Sequence, residues 1–473
     1  MSADTLSQAA PAARTAKSDR AFLGHPAGLG WLAFCELWER FSYYGMQALL
    51  VLYLTKYLFR PEHIGNVAGI DALRGGIESM FGPLSTQQFG SIIFGLYTGL
   101  VYLTPIFGGL VADRWLGRTR TVVLGASLMA LGHFLMAFEL VFLPAILCLL
   151  IGVGCFKGNI AAQVGDLYGP DDKRRASAFQ IFMLAVQIAV IVAPIVCGTL
   201  GEKVAWHWGF GAAGVGMVIG LFTYLFARPW LPPEPARKER DRVEHAPLTR
   251  VEKARLAFLV VLLPVLVLSV VSNQQYNNAF PQWADAHMDR TLLGWEVPVT
   301  WLQAVDALVS TLTMIASIGF WRWWAKHRRE PGDLVKMGLG SLVSAGAPAL
   351  MVIAAEMASH GKVSLAWSFI YSFVNDLGFA NVMPVGLALY SRVAPRKIAG
   401  VVIGVYYLHL FGGNFFVGWL AGLLDKLPGA AFWGLHALLV AAAGTMLLLS
   451  RVFFGHLLAE DDEPPAQAAA EPV

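Results

Sequence analysis

The sequence predicts an all-α integral membrane protein of twelve transmembrane helices in two bundles of six. Three observations carry this prediction. The 473 residues are 56% hydrophobic and only 14% charged, with a mean hydropathy of +0.57, whereas a soluble globular chain carries about 25% charged residues. Apolar runs of about 20 residues, the length that crosses a bilayer, recur along almost the whole chain. A single long, charged, Pro-containing interruption near the middle, Arg228 to Lys253, leaves six such runs on either side.

In chain order the runs are 27–58, 87–112, 119–138, 142–165, 175–200 and 206–228, then 254–284, 298–325, 333–358, 363–393, 398–424 and 428–454. This divides the chain into an N-terminal tail (1–26), a first bundle (27–228), a linker (229–253), a second bundle (254–455) and a polar C-terminal tail (456–473) expected to be disordered. The first 26 residues contain no apolar core, so no cleavable signal peptide is expected. Twelve spans put both termini on one side. Of the 35 Lys and Arg, 26 fall on the side of the termini and even-numbered loops, seven on the other side, and two (Arg40 and Lys157) within spans. Basic residues favour the cytoplasm, which orients both termini inward in the cytoplasmic membrane. The outer loop from Arg60 to Pro83 is Gly-rich and offers no recognisable chemistry.

The four cysteines lie in apolar segments without metal-ligand spacing and read as small buried hydrophobes. No phosphate loop, nucleophile elbow or metal cluster is present in the sequence, which argues against an enzyme and implies no cofactor beyond protons as coupling ion.

The chemistry sits on charges inside spans, where each central charge costs roughly 2.5–3.5 kcal/mol on insertion scales. In the first span, CELWERFSYYGMQ places Glu36, Glu39 and Arg40 at i, i+3 and i+4, on one helical face that Tyr43, Tyr44 and Gln47 extend. This face should line a cavity; the plainer alternative is an ion network that only fixes helix packing. Lys157, within the fourth span, needs a carboxylate or water, and Glu36 or Glu39 is the expected partner. Protonating that carboxylate would break the pair and could couple a proton to helix movement. Between spans two and three, GGLVADRWLGRTR supplies glycines for close helix approach, and Asp113, Arg114 and Arg118 for a gating charge network. Tyr102 on span two and Gln274 on span seven are further candidate pocket groups. A lone imidazole, His409, reads as structural before it reads as a relay.

The run ELWERFSYYGM resembles the E-x-x-E-R-F-x-Y-Y-G signature of the proton-dependent oligopeptide transporter family within the major facilitator superfamily. Similar matches are GVGCFKGNIAAQVGDLY around Lys157, PVGLALYSRVAP in span ten and GVYYLHLFGGNFFVGWLAG in span eleven. The resemblance covers both halves. It implies the major facilitator fold, with a site between the bundles near the midplane, and symport of di- or tripeptides with protons by a monomer. It also implies that Glu36, Glu39, Arg40 and Lys157 couple protons and that Tyr43 and Tyr44 contact substrate.

The chain departs from the family where a peptide would bind. Gln47 stands in place of a substrate-facing arginine, Gln187 of an asparagine, Asn273 of an ion-coupling glutamate, and Phe379 of the glutamate that receives the amino terminus. Asp306 and Asp376 are expected to compensate by holding the ammonium or pairing across the bundle. Their plainer roles would be a helix contact for Asp306 and a local cap for Asp376. Two other functions stay open on the sequence: the same fold carrying a non-peptide or modified-peptide substrate, and a sensor that binds without flux.

Overall fold

The computed structural model describes residues 20–169, 172–231, 248–395 and 398–455. The two tails and most of the linker expected at 229–253 lie outside the described residues. Among the described residues helices cover all twelve predicted spans, ten of them as single helices. The first bundle is built from Ala27–Tyr53, Thr86–Val111, Arg118–Leu135, Phe142–Asp166, Arg174–Lys203 and Trp206–Ala227. In the second, spans eight, nine, eleven and twelve are Trp301–His327, Asp333–Ala358, Ala399–Ala421 and Gly429–Phe454.

Spans seven and ten are broken, where the sequence reading has continuous runs. Span seven divides into Arg250–Ser269, Val271–Gln275 and Ala279–His287. The breaks fall around the polar run SNQQYNN, whose amides compete with the backbone for hydrogen bonds. Gln275 Oε1 accepts the freed Ala279 N–H at 3.2 Å, and Tyr371 Oη donates to the Ser272 carbonyl at 2.8 Å. Span ten divides into Ala366–Phe379 and Met383–Val393. Pro384, at the start of the second piece, lacks an N–H and clashes with a preceding helical turn. Asn381 Nδ2 donates to the Leu377 carbonyl at 2.9 Å across this break. Irregular backbone at membrane depth survives only when it is satisfied in this way.

Among the described residues, eight helices are long and apolar enough to cross a membrane by length and composition alone. The first span falls short because of its polar stripe, the third because its 18 residues begin with Arg118 and Arg120, and spans seven and ten because they are interrupted. The outer loop also contains an unforeseen helix, Ile70–Phe81, set between Gly69 and Gly82. Its signal was the apolar spacing of Ile70, Leu73, Ile77 and Phe81.

Two glycines mark close backbone crossings of span two. A Cβ on Gly108 would come within 1.9 Å of the Gly154 carbonyl oxygen, so spans two and four cross backbone to backbone. A Cβ on Gly95 would meet the Asn414 carbonyl at 2.5 Å and Gly418 Cα at 2.7 Å, which brings span two directly against span eleven. The second contact joins the bundles.

The other bonds between the bundles run from the odd-numbered loops to mid-depth. Gln87 and Gln88 donate to the carbonyls of Ala421 and Gly422, and Ser85 Oγ donates to Asp425. Glu202, near the end of span five, accepts from Val299 N and Thr300 N, both at 2.9 Å. The deepest is Gln187 Nε2 donating to Thr311 Oγ1 at 2.7 Å. The molecule is thus closed at the odd-loop end.

A chain of alternating charges reinforces that seal. Lys56 of the first bundle pairs with Asp285, which holds Arg290 at 2.8 Å. Arg290 in turn holds Glu296 at 2.8 Å, and Glu296 reaches back to Lys203 of the first bundle at 3.2 Å. Lys203 and Arg290 hold the Glu296 carboxyl below the usual carboxylate range. A depressed folded-state value means that this contribution is full above the ordinary carboxylate pKa and is lost as pH falls through the depressed one. Glu296→Gln is therefore expected to lower the melting temperature in detergent slightly at pH 7. The difference from wild type should shrink on acidification and vanish once the pH has fallen through that depressed value. A difference that persists there would show that the pair is not its source. The effect is small because Glu296 is largely exposed.

Candidate functional site

The site begins with the stripe of the first span. Glu36, Glu39 and Arg40 are 5%, 0% and 3% exposed, so three ionisable groups are shut inside the protein. Arg40 satisfies its neighbours by itself. Its Nη2 donates to Glu39 Oε1 at 2.7 Å, and its Nε lies against Glu39 Oε2 and 3.1 Å from Glu36 Oε1. The guanidinium also stacks over the Tyr43 ring at 5.3 Å. Glu36 Oε2 is buried and has no partner. Arg40 is thus shared between two acids, one of which is incompletely satisfied.

Lys157 corrects an expectation. It forms no ion pair within 4.0 Å of either Glu36 or Glu39. Both acids are already held by a cation one turn or less away on their own helix, which is the shorter reach. The ammonium instead stands over the Tyr102 ring at 4.9 Å, a cation–π contact. Lys157 still interacts electrostatically with both acids and with Arg40. Glu36, Tyr102 and Lys157 each lie nine residues from the even-loop end of their helices, about 13–14 Å deep at 1.5 Å per residue. The structure therefore brings the three together in one layer, as neighbours without the expected bond.

The remaining candidates spread along the same interior. Tyr43 and Tyr44 pack edge to face at 5.1 Å. Gln47 continues the stripe and is buried. Tyr97 on span two, with its hydroxyl buried and unpartnered, joins the group that faces Arg40 and Glu39. Gln187, partly exposed, ties span five to span eight. Asn273 and Gln274 sit in the short middle piece of span seven, hydrogen-bonded to each other at 3.3 Å. Phe379 ends the first piece of span ten.

Asp306 lies on span eight and Asp376 on the first piece of span ten, both in the second bundle, and each has a buried oxygen without a hydrogen-bond partner. Asp376 is 1% exposed and accepts from Asn375 Nδ2 at 3.0 Å. Its side chain does not cap the break in span ten; the bond across that break comes from Asn381.

Of the gating motif, Arg118 pairs with Asp166 at the end of span four, a partner the motif itself does not name. Asp113 and Arg114 occupy a one-turn widening of the helix, Ala112–Leu116, which ends at Gly117 with φ +75°. His409 is buried, with Nδ1 against the Tyr406 carbonyl, as a structural histidine would be. The four cysteines are free.

Comparison with known proteins fits this geometry. The Major Facilitator Superfamily profile matches residues 32–418. A di-/tripeptide transporter of Lactococcus lactis subsp. lactis is 30% identical over 449 residues, covering 91% of this chain and 83% of that protein. A peptide transporter of Yersinia enterocolitica, YePEPT, is 29% identical, covering 91% and 95%. A crystal structure of the peptide transporter POT in complex with sulfate superposes with a TM-score of 0.79 at 24% identity. It covers 94% of this chain and 98% of its own, and so bears on the fold.

Proposed function

Because the chain belongs to the proton-dependent oligopeptide transporter family of the major facilitator superfamily, we propose that it imports di- and tripeptides with protons across the cytoplasmic membrane. It is a multi-pass membrane transporter and not an enzyme. In this reading both termini are cytoplasmic and the chain works as a monomer. The odd-loop seal then faces outward, and the conformation is the one that releases cargo to the cytoplasm.

The observation that carries the reading is Arg40 held between two buried acids, one of them with a free oxygen. A proton arriving on Glu36 or Glu39 removes one claim on the guanidinium. Arg40 then redistributes between the remaining acid and the cavity. Lys157, which has only an aromatic face as its contact, is available for the carboxylate end of a peptide. The bundles rock about the site, breaking the outer contacts of Lys56, Glu202 and Gln88 in the opposite state.

Uptake of labelled dialanine into proteoliposomes, with a pH-sensitive dye inside, tests the reading. Accumulation under an inwardly directed proton gradient, with matching acidification of the lumen, is the expected result. Binding without flux would select a sensor. Uptake of small carboxylates that dialanine does not compete away would select a non-peptide substrate.

A further inference from the structure

Span eight ends in a cluster of cations that has no acids to match it. Arg322, Lys326, Arg328 and Arg329 follow one another over a short stretch, and all are exposed. The one carboxylate close by in sequence, Glu330, is taken by Lys336. Among the described residues no acid lies within 4.0 Å of any of the four. Other even-numbered loops differ: Arg118 holds Asp166, Arg174 holds Asp172 and Arg392 holds Asp333. Those arginines are neutralised within the protein, whereas the end of span eight keeps its charge.

The same helix leads an apolar stripe down to that cluster. Leu308, Leu312, Ile315, Gly319, Arg322 and Lys326 recur at steps of three or four residues and so share one face. All six are exposed, Leu312 by 57% and Ile315 by 62%. On a helix that crosses a membrane, an exposed apolar face lies against acyl chains. Gly319 leaves a notch in the stripe, since a Cβ there would meet nothing within 4 Å. Trp323, 54% exposed, stands beside the two cations, and indoles favour the level of the lipid headgroups. Trp324 holds the chain beyond the helix: its ring carries Arg328 at 5.4 Å, and its Nε1 donates to the Arg329 carbonyl at 3.3 Å.

The depth of Arg322 decides what this face meets. It lies five residues before the helix end at His327, about 7–8 Å at 1.5 Å per residue. A guanidinium there extends along the helix to the interface, where the available anions are lipid phosphates. We propose that the stripe and its terminal cations form a binding site for an anionic phospholipid. The phosphate sits between Arg322 and Lys326, and an acyl chain runs along Gly319, Ile315 and Leu312. Arg328 and Arg329 add the charge that favours a net-negative headgroup over a zwitterionic one. The site follows from the membrane placement alone and holds whatever the chain carries.

Native mass spectrometry of the purified protein tests it, with dioleoylphosphatidylglycerol and dioleoylphosphatidylcholine added at equal concentration. Wild type should retain the phosphatidylglycerol about tenfold more strongly. Arg322→Gln with Lys326→Gln should reduce that preference to about twofold or less. Arg250→Gln with Lys253→Gln removes the same charge from exposed positions at the start of span seven, and should leave the preference within about twofold of wild type. The charge-keeping swap, Arg322→Lys with Lys326→Arg, should retain it as well.

No preference in wild type, or one that survives Arg322→Gln with Lys326→Gln, overturns the site. Loss in the charge-keeping swap overturns it too, since a fold defect would then explain the first variant. Equal loss in both charge-removing variants would assign the preference to the field of the whole even-loop face, against a site on span eight. A lipid-free dimer in the wild-type spectrum would put a second copy of the chain on the stripe, with the same consequence.

Discussion

Arg40→Gln is expected to destabilise the protein by about 3–5 kcal/mol and to abolish proton-driven uptake, because it strands buried carboxylates that lose their only close cation. Glu39 is fully buried, and both of its oxygens face the guanidinium. Lys157 is not placed to take over, since it sits over Tyr102 and makes no ion pair with either acid. Stability and coupling can then be separated. Glu36→Gln, Glu39→Gln and Arg40→Gln combined remove all three charges while keeping volume, so melting in detergent should return close to wild type. Proton-driven uptake should not return, since no titrating group is left in the stripe. If the triple variant still accumulates dialanine against a gradient, the stripe is structural and the coupling lies elsewhere.

Gly95→Leu is expected to stop transport while leaving each bundle folded. Its side chain would enter the space held by the Asn414 carbonyl and Gly418 Cα, at the crossing of spans two and eleven. Backbone cannot yield as the end of a flexible side chain does, and overpacking of this kind costs about 1–3 kcal/mol or more. In the proposed alternating-access reading the strain falls on a contact between the bundles, so they can relieve it by parting at the odd-loop end. The variant should therefore be expressed, bind poorly from the cytoplasmic side and show uptake near background. Gly108→Leu is the comparator. It wedges span two from span four inside one bundle, where no rigid-body motion relieves a 1.9 Å approach to Gly154, and should fail to fold. Equal expression and equal flux in both variants would show that neither crossing is tight enough to exclude a side chain.

Much of this was legible in the residues. Hydropathy marked the crossings because a helix must satisfy its own backbone in lipid, and that requirement is local. The stripe of Glu36, Glu39 and Arg40 was legible for the same reason: i, i+3 and i+4 fall on one face whatever surrounds them. The breaks in spans seven and ten were not foreseen, although SNQQYNN and Pro384 stood in plain view. A polar run breaks a helix only where partners such as Tyr371 are there to take the freed groups.

Partnership between helices was the part that only the tertiary structure decided. That Arg40, and not Lys157, pairs with both glutamates depends on how far span four stands from span one. That Gln187 reaches Thr311 depends on the packing of spans five and eight. The alternating chain from Lys56 to Lys203 assembles five charges from three separate stretches of the sequence. Spacing along one helix specifies which side chains share a face, because backbone geometry is rigid. It carries no information about what lies opposite, since that is set by the sum of many weak packing contacts across the whole bundle.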